Sequence, residues 1–338
     1  MLPKLGYWVD YWTKCNCCSS DVVLSRGSPG LQGWDPRRGH PPTMSVVYLN
    51  GEFQPADKAS ISVLDRGFLF ADGVYEVIRV YRGAPFLLER HLQRLQASLG
   101  AISIDNPLPF EQWAQVIAEL INQNGGGDQV LYVQVTRGAG ASREHVPKEA
   151  LTPTLLMMAD PTELAPLVSV AAITAEDIRW AYCHIKSVAL LPNVLLRQQA
   201  VAAGAYEAIL LRNGTVTEGA ASSVFVVLDG VVVTPPLSPG LLAGVTRGLL
   251  LELLQLHDIK HKIREINESE LPAAEEIWLS STTRAILPVV QLDGRTVGNG
   301  QVGRHAERAL RLYSDYRDEV TRALELDQAL AGSEHEDK

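Results

Sequence analysis

One lysine stands between apolar strips in HIKSVALLPN, residues 184–193. A cation so placed is either a surface lysine whose stem lies along apolar neighbours or an amine held in a pocket. Burial disfavours the ammonium form and lowers the pKa, which turns the amine into a nucleophile and imine former near neutral pH. Beyond residue 44 the lysines are Lys58, Lys148, Lys186, Lys260, Lys262 and Lys338, and Lys186 alone stands in an apolar setting, after what reads as a strand end.

Three further features suit such an amine. Glu218, in TVTEGAASSVFVV (215–227), follows an alternating strand and precedes a Gly-Ala-Ala turn. Its carboxylate is expected in the same cleft, the alternative being an exposed turn glutamate. Ala243-Gly244-Val245-Thr246 opens a helix, with bare N–H groups, a glycine for close approach and a hydroxyl. That is an anion site by geometry and dipole, or else a Thr-capped helix. SSTTR, residues 280–284, adds clustered hydroxyls at a strand end. Neither a Walker A loop nor G-x-G-x-x-G is present, so neither a nucleoside triphosphate nor a dinucleotide is indicated. An imine-forming amine, a carboxylate and a phosphate seat together specify pyridoxal 5'-phosphate, which needs an anchor for its aldehyde, a partner for its pyridine nitrogen and a seat for its phosphate.

The elements around these residues mix strands and helices. SVVYLNGEFQP, from residue 45, reads as a hairpin about Asn50-Gly51. VYEVIRVY is a strand, ERHLQRLQASLGA and PFEQWAQVIAELINQ are helices, and DQVLYVQVTRG and TPTLLMMA are strands. After ADPTELAPL come the strand LVSVAAIT, a helix from about Val194 to Ala203, and a dense β region folded at Asn213-Gly214 and Asp229-Gly230. VTRGLLLELLQLH is a helix apolar nearly all round, hence buried. EEIWLSSTTRAILPVVQLDGRTV returns to strand before a last helix that closes near Glu325.

These elements lack steady βαβ alternation, so the fold class is α+β, in two domains with a cleft between them. The expected boundaries are a leader at 1–43, disordered or an over-long start with Met44 the natural beginning; a smaller domain at 44–160; a linker at 161–166; a larger domain at 167–326; and a flexible tail at 327–338. The leader holds three of the four cysteines and three of the six tryptophans. Its CNCC lacks the paired partners of a zinc site, and it has no apolar stretch of secretory type. With Cys183 the one cysteine left in the body, no disulfide framework is expected, which fits a cytoplasmic protein. A net charge of -9 argues against nucleic acid, and no apolar run approaches a membrane span. His257 and His261 have a metal-compatible spacing but no supporting ligands, and read as surface residues.

From Tyr48 to about Leu324 the chain resembles the fold-type IV pyridoxal-phosphate enzymes, and DRGFLFADGVYEVIRVY (65–81) resembles the D-amino acid aminotransferases among them. The resemblance implies a smaller N-terminal α/β domain, a larger C-terminal domain with a barrel-like sheet, the cofactor between them, and a homodimer. By the same resemblance Lys186 is the Schiff-base lysine and the acid/base for the α-proton, and Glu218 pairs with the pyridine nitrogen. Arg94, Val245, Thr246 and Thr282 contact the phosphate, while Leu242 packs beside the ring. Tyr75, with Arg143 and His145 in TRGAGASREHVP (136–147), matches the family's trap for the α-carboxylate of a D-amino acid, the loop coming from the neighbouring subunit. Ala71, Ala220 and Ala221 depart from the family's usual Gly and Ser residues.

The function implied is transamination of a D-amino acid such as D-alanine with 2-oxoglutarate. Alternatives on the same fold are a branched-chain L-amino acid aminotransferase, which carries Phe-Glu-Gly-Ile-Arg where this chain has Tyr75-Glu76-Val77-Ile78-Arg79, an aminodeoxychorismate lyase, and an (R)-amine transaminase. From another class, a non-catalytic oligomeric binding protein would have no reason to keep Lys186 and Glu218.

Overall fold

Asn50 and Gly51 both adopt positive φ, 51° and 102°, the backbone of a tight hairpin turn. They join β1 (Val46–Leu49) to β2 (Glu52–Pro55). Then follow the five-residue helix α1 (Arg66–Phe70), β3 (Gly73–Tyr81), the short β4 (Ala84–Pro85), helices α2 (Leu88–Ala101) and α3 (Phe110–Gln123), β5 (Gln129–Thr136) and β6 (Thr154–Pro161). The computed structural model describes residues 45–163 and 168–336. The expected leader, 1–43, and positions 164–166 of the expected linker lie outside the described residues.

The first six strands form one antiparallel sheet in the order β2-β1-β6-β5-β3-β4. Alternation puts Val74, Glu76 and Ile78 of β3 on one buried face. The helices cover this face, with Leu92, Leu95 and Leu99 of α2 and Trp113, Ile117 and Leu120 of α3 packed on Val74, Ile78, Leu131 and Met157. Glu76 is thus a carboxylate on a core face, and it has to find its partners there.

The second half contains β7 (Val170–Glu176), α4 (Leu191–Ala202), β8 (Glu207–Arg212), β9 (Thr215–Gly219), β10 (Ser223–Leu228), β11 (Val231–Thr234), α5 (Val245–Leu256), β12 (His261–Ile263), β13 (Glu276–Ser281), β14 (Ala285–Leu292), β15 (Arg295–Thr296) and α6 (Arg304–Glu336). Its nine strands run β12-β11-β10-β13-β14-β7-β8-β9, with β15 beside β14. The pairs β11/β12, β14/β7 and β7/β8 are parallel and the others antiparallel. The sheet curls into a half-barrel, as the barrel-like expectation required. Asn213-Gly214, Asp229-Gly230 and Asp293-Gly294 all take positive φ and make its tight hairpins. Phe225 and Trp278 stack at 4.9 Å and pack under Leu249, Leu250 and Leu253 of α5 and Tyr313 of α6, while Leu196 and Ala200 of α4 pack against Ala208 and Leu210 of β8. Both sheets lie in one compact unit, Met44–Lys338.

Four local expectations change. α4 begins at Leu191, ahead of Val194, because Pro192 sits in the first turn, where its missing N–H costs nothing. α6 does not close near Glu325 but continues to Glu336, through residues rich in the helix formers Ala, Leu and Glu. α5 is buried along most of its length, yet Leu256 at its end is 73 % exposed. Lys186 does not follow a strand end, since β7 stops at Glu176 and the lysine lies in the 177–190 connection to α4.

Candidate active site

Lys186 owes its position to β3. The Tyr75 N–H donates to the Lys186 carbonyl at 3.0 Å and the Val188 N–H donates to the Gly73 carbonyl at 3.0 Å, so the 177–190 connection pairs briefly with the strand. The Lys186 N–H donates to Ser98 Oγ on α2 at 3.2 Å. Ile185 buries into the first core, whereas Lys186, at the centre of a tight turn closed by the Ser187 N–H donating to the Ile185 carbonyl at 2.8 Å, lines a cavity. There Nζ lies 4.0 Å from the centroid of the Tyr75 ring. Burial, reinforced by the nearby Arg94 charge, brings the amine down to about 8, against the pull of Glu76 and Glu218. The setting is apolar along the chain but not in space, where two carboxylates and a guanidinium surround the amine.

Glu218 is the penultimate residue of β9 and is 6 % exposed. Its carboxylate accepts from Arg179 Nη1 and from the Leu242 N–H, at 3.1 and 3.2 Å to its two oxygens. Burial pushes this carboxyl up, opposed by Arg179 and the Leu242 N–H. Arg179 is fixed from its other side by a fork to Asp177, Nε and Nη2 each 2.9 Å from a carboxylate oxygen. Asp177 also takes Arg212 at 2.9 Å. Although burial works against it, Arg179 holds the Asp177 carboxyl below its ordinary value.

Arg94 is not an exposed helix arginine. Its side chain is 11 % exposed, its Nε and Nη2 donate to Glu76 at 2.7 and 2.8 Å, and its Nη1 donates to the Ala243 carbonyl at 2.9 Å. Five N–H groups less these three leave two for a further acceptor. Glu76 is fully buried between Arg94 and His91, the latter 2.8 Å away. Burial raises its carboxyl, but the two partners outweigh that and hold it at about 2.

The N-terminus of α5 completes the wall. Gly244 is its cap residue and makes no side-chain cap, so the first N–H groups remain open and Thr246 is not a cap. A Cβ on Gly244 would stand 2.7 Å from Ser223 Oγ, which is why that position is glycine. Ser280 Oγ is buried against the same cavity with no partner in the protein. The cavity, about 760 Å³, brings Lys186, Tyr75, Arg94 and Glu218 together with Leu242, Val245, Thr246 and Thr282. Arg143 and His145 are not among its walls. They are exposed on the 137–153 connection, 4.9 and 5.4 Å from the Phe70 ring.

The chain as a whole is similar to known proteins. The family described as amino-transferase class IV matches residues 73–292. The chain is 39 % identical to the D-alanine aminotransferase of Bacillus licheniformis, over 76 % of this chain and 92 % of that one. It is 37 % identical to the D-alanine aminotransferase of Staphylococcus haemolyticus, over 77 % and 93 %. The chain belongs to the class IV aminotransferases. Similar solved structures of the fold include a branched-chain amino acid aminotransferase of Escherichia coli, with a TM-score of 0.77, 24 % identity, and coverage of 81 % of this chain and 95 % of that one. Another is the branched-chain aminotransferase of Thermoproteus uzoniensis, with a TM-score of 0.73, 26 % identity, and coverage of 80 % and 93 %.

For a class IV aminotransferase, the sequence reading passed over Arg179, Asp177 and Glu76. Glu76 had a signal, being a carboxylate on the apolar side of an alternating strand. Arg179 had none, since it lies in a connection and meets Glu218 only through the fold. No helix among the described residues is long and apolar enough to cross a membrane.

Proposed function

We propose that this aminotransferase uses pyridoxal 5'-phosphate to move the amino group of a D-amino acid such as D-alanine to 2-oxoglutarate, giving a 2-oxo acid and D-glutamate. The observation that carries the reading is the single cavity lined by a softened amine, a buried carboxylate and an uncapped helix start. The residues present fit the cofactor, because the unpartnered Ser280 hydroxyl and the two spare N–H groups of Arg94 await an acceptor. The identity to D-alanine aminotransferases supports the choice of substrate.

When bound, pyridoxal phosphate supplies an aldehyde that links to amines and a ring that takes up the electron pair left when the α-proton departs. Arg94, the α5 N–H groups of Val245 and Thr246, and the hydroxyls of Thr246, Ser280 and Thr282 would hold its phosphate, and Leu242 would lie beside its ring. Glu218, whose burial-raised carboxyl Arg179 draws back toward ionisation, would hold a proton on the ring nitrogen. Lys186 Nζ, brought down to about 8 and so partly neutral near physiological pH, would carry the proton away from Cα of the amino donor in the first half-reaction and onto Cα of the new amino acid in the second. Tyr75 is driven up to about 12 by burial and by Glu76, so it remains a neutral O–H donor for a carboxylate. Arg143 and His145 would bind the same carboxylate from the partner subunit of a homodimer, which accounts for their distance from the cavity of their own chain.

Consumption of 2-oxoglutarate in the presence of D-alanine tests the reading, with L-leucine and an (R)-amine run beside it as donors. Turnover of D-alanine and not of L-leucine supports it. Turnover of L-leucine alone would keep Lys186 and Glu218 but overturn the roles given to Arg143 and His145.

A further inference from the structure

Residues 137–153 join β5 to β6 and carry Arg143 and His145. Asp65, 1 % exposed, closes the base of this loop. Its carboxylate accepts from Thr136 Oγ1 at 3.0 Å, from Thr154 Oγ1 at 2.7 Å and from the Gly67 N–H at 2.8 Å. Thr136 and Thr154 face each other in the β5/β6 register, so one carboxylate ties both ends of the loop to the start of α1. The approach is close: a Cβ on Gly138 would stand 1.9 Å from the Thr152 carbonyl oxygen, and one on Gly67 would stand 2.2 Å from Thr136 Cγ2.

The outer part of the loop is held by the next residue. Arg66, 7 % exposed, donates from Nη1 to the Glu144 carbonyl at 2.6 Å and from Nη2 to the His145 carbonyl at 2.8 Å. Its Nε donates to Asp72 at 2.8 Å, and Asp72 also takes Arg137 at the start of the loop. Phe70, at the other end of α1, lies under the same segment, with the guanidinium carbons of Arg66 and Arg143 each 4.9 Å from its centroid and the His145 ring at 5.4 Å. The loop is rich in Gly, Ala and Ser and mostly exposed, so it has little apolar burial of its own to fix its shape. Charge-assisted bonds to two successive carbonyls, and a ring beneath two cationic side chains, supply that fixation.

We propose that Arg66 and Phe70 are positioning residues for substrate recognition. Through them α1 holds the 137–153 loop in the conformation in which Arg143 and His145 serve as a carboxylate trap, and the proposal rests on the reading that those two residues bind the substrate carboxylate. Arg66 is chosen for its planar fork, which reaches two carbonyls and a carboxylate at once. A lysine keeps the charge but cannot span the three.

The test compares Arg66→Lys, Phe70→Leu and Arg143→Ala as holoenzymes with D-alanine at saturating 2-oxoglutarate, together with the cofactor's visible absorption and tryptic cleavage after Arg143. Arg66→Lys and Phe70→Leu are expected to raise KM for D-alanine about tenfold, with kcat within about threefold of the parent and unchanged absorption. Cleavage after Arg143 is expected to become faster. Phe70→Leu leaves every hydrogen bond of Arg66 in place, so it reads the support of the loop even where Arg66→Lys fails to fold. A raised KM in Arg143→Ala, with KM within twofold of the parent in both α1 variants that fold, overturns the proposal; so does a loss of kcat at unchanged KM in those variants. An unchanged KM in Arg143→Ala removes the carboxylate reading, and the proposal with it.

Discussion

The Lys186 amine lies 4.0 Å from the centre of the Tyr75 ring, and the same two residues share a backbone hydrogen bond of 3.0 Å. The strand therefore sets both the position and the surroundings of the nucleophile. Burial, helped by nearby Arg94, brings the amine from its ordinary 10.5 to about 8. In the apoprotein, labelling of Lys186 by an amine-selective reagent should rise with pH about a midpoint near 8. A mass-resolved pH series reads each site separately. A midpoint above 10 at Lys186 would contradict the assigned environment.

The same displacement affects stability. A lysine whose folded pKa lies below its unfolded value binds fewer protons when folded, so stability rises with pH between about 8 and 10.5 and the cost is fully present below 8. Lys186→Met should therefore stabilise the apoprotein at pH 7, by up to about 3 kcal/mol. At pH 11 the advantage should be gone. Urea titrations of both proteins at the two pH values check it.

Glu76 carries the opposite sign. Its carboxyl, held at about 2 against an ordinary 4.5, contributes stability that is complete above 4.5 and is lost as pH falls from there toward 2. Glu76→Gln removes that contribution and leaves Arg94 without its fork, at a cost of about 3–5 kcal/mol at neutral pH. The gap between parent and variant should narrow at pH 3. The variant should also bind pyridoxal phosphate more weakly, because Arg94 is no longer held toward Ala243 and the α5 start.

Much of this was legible in the sequence, for physical reasons that differ from element to element. Asn50-Gly51, Asn213-Gly214 and Asp229-Gly230 announce hairpins because their positive φ values are a local property of two residues. Lys186 and Glu218 stood out as charges set against apolar runs, and the glycine at 244 marked an open helix start. The boundary of α4 was misplaced because Pro192 reads as a stop but serves as a first-turn residue. Asp177, Arg179 and Arg212 could not be read, since their meaning lies in a shared carboxylate and in contact with Glu218, which no spacing encodes. Nor could the support that Arg66 gives to residues 144 and 145, a contact between distant segments through backbone carbonyls.

The Arg179–Glu218 pair yields a pH prediction. Burial alone would push the Glu218 carboxyl up, and Arg179 restrains it. In Arg179→Met that restraint is lost, the carboxyl rises further, and a larger share of it is protonated near neutrality. The acid limb of the kcat profile for D-alanine should move to higher pH, with activity partly regained as pH increases. Glu218→Gln cannot regain it and should lose about 100-fold in kcat at every pH. A common, pH-independent loss in both variants would instead assign Arg179 a packing role alone.

The exposed position of Arg143 and His145, away from the cavity of their own chain, sets up the sharpest test of the proposed homodimer. Lys186→Ala should be inactive because the nucleophile is gone, and Arg143→Ala should be nearly so at low D-alanine because the trap is broken. Neither defect should be mended by excess cofactor. In a homodimer whose loops are exchanged, unfolding and refolding the two variants together forms a mixed dimer with one intact site: its Lys186 comes from one chain and Arg143 of the partner subunit completes it. With random pairing at equal amounts, about half of the dimers are mixed and each holds one working site of two, so about a quarter of the parent activity should return. Recovery to that level, absent when each variant is refolded alone, establishes the exchange. If mixed dimers form and no activity returns, each chain must serve its own cavity, and the loop would have to fold inward on substrate binding.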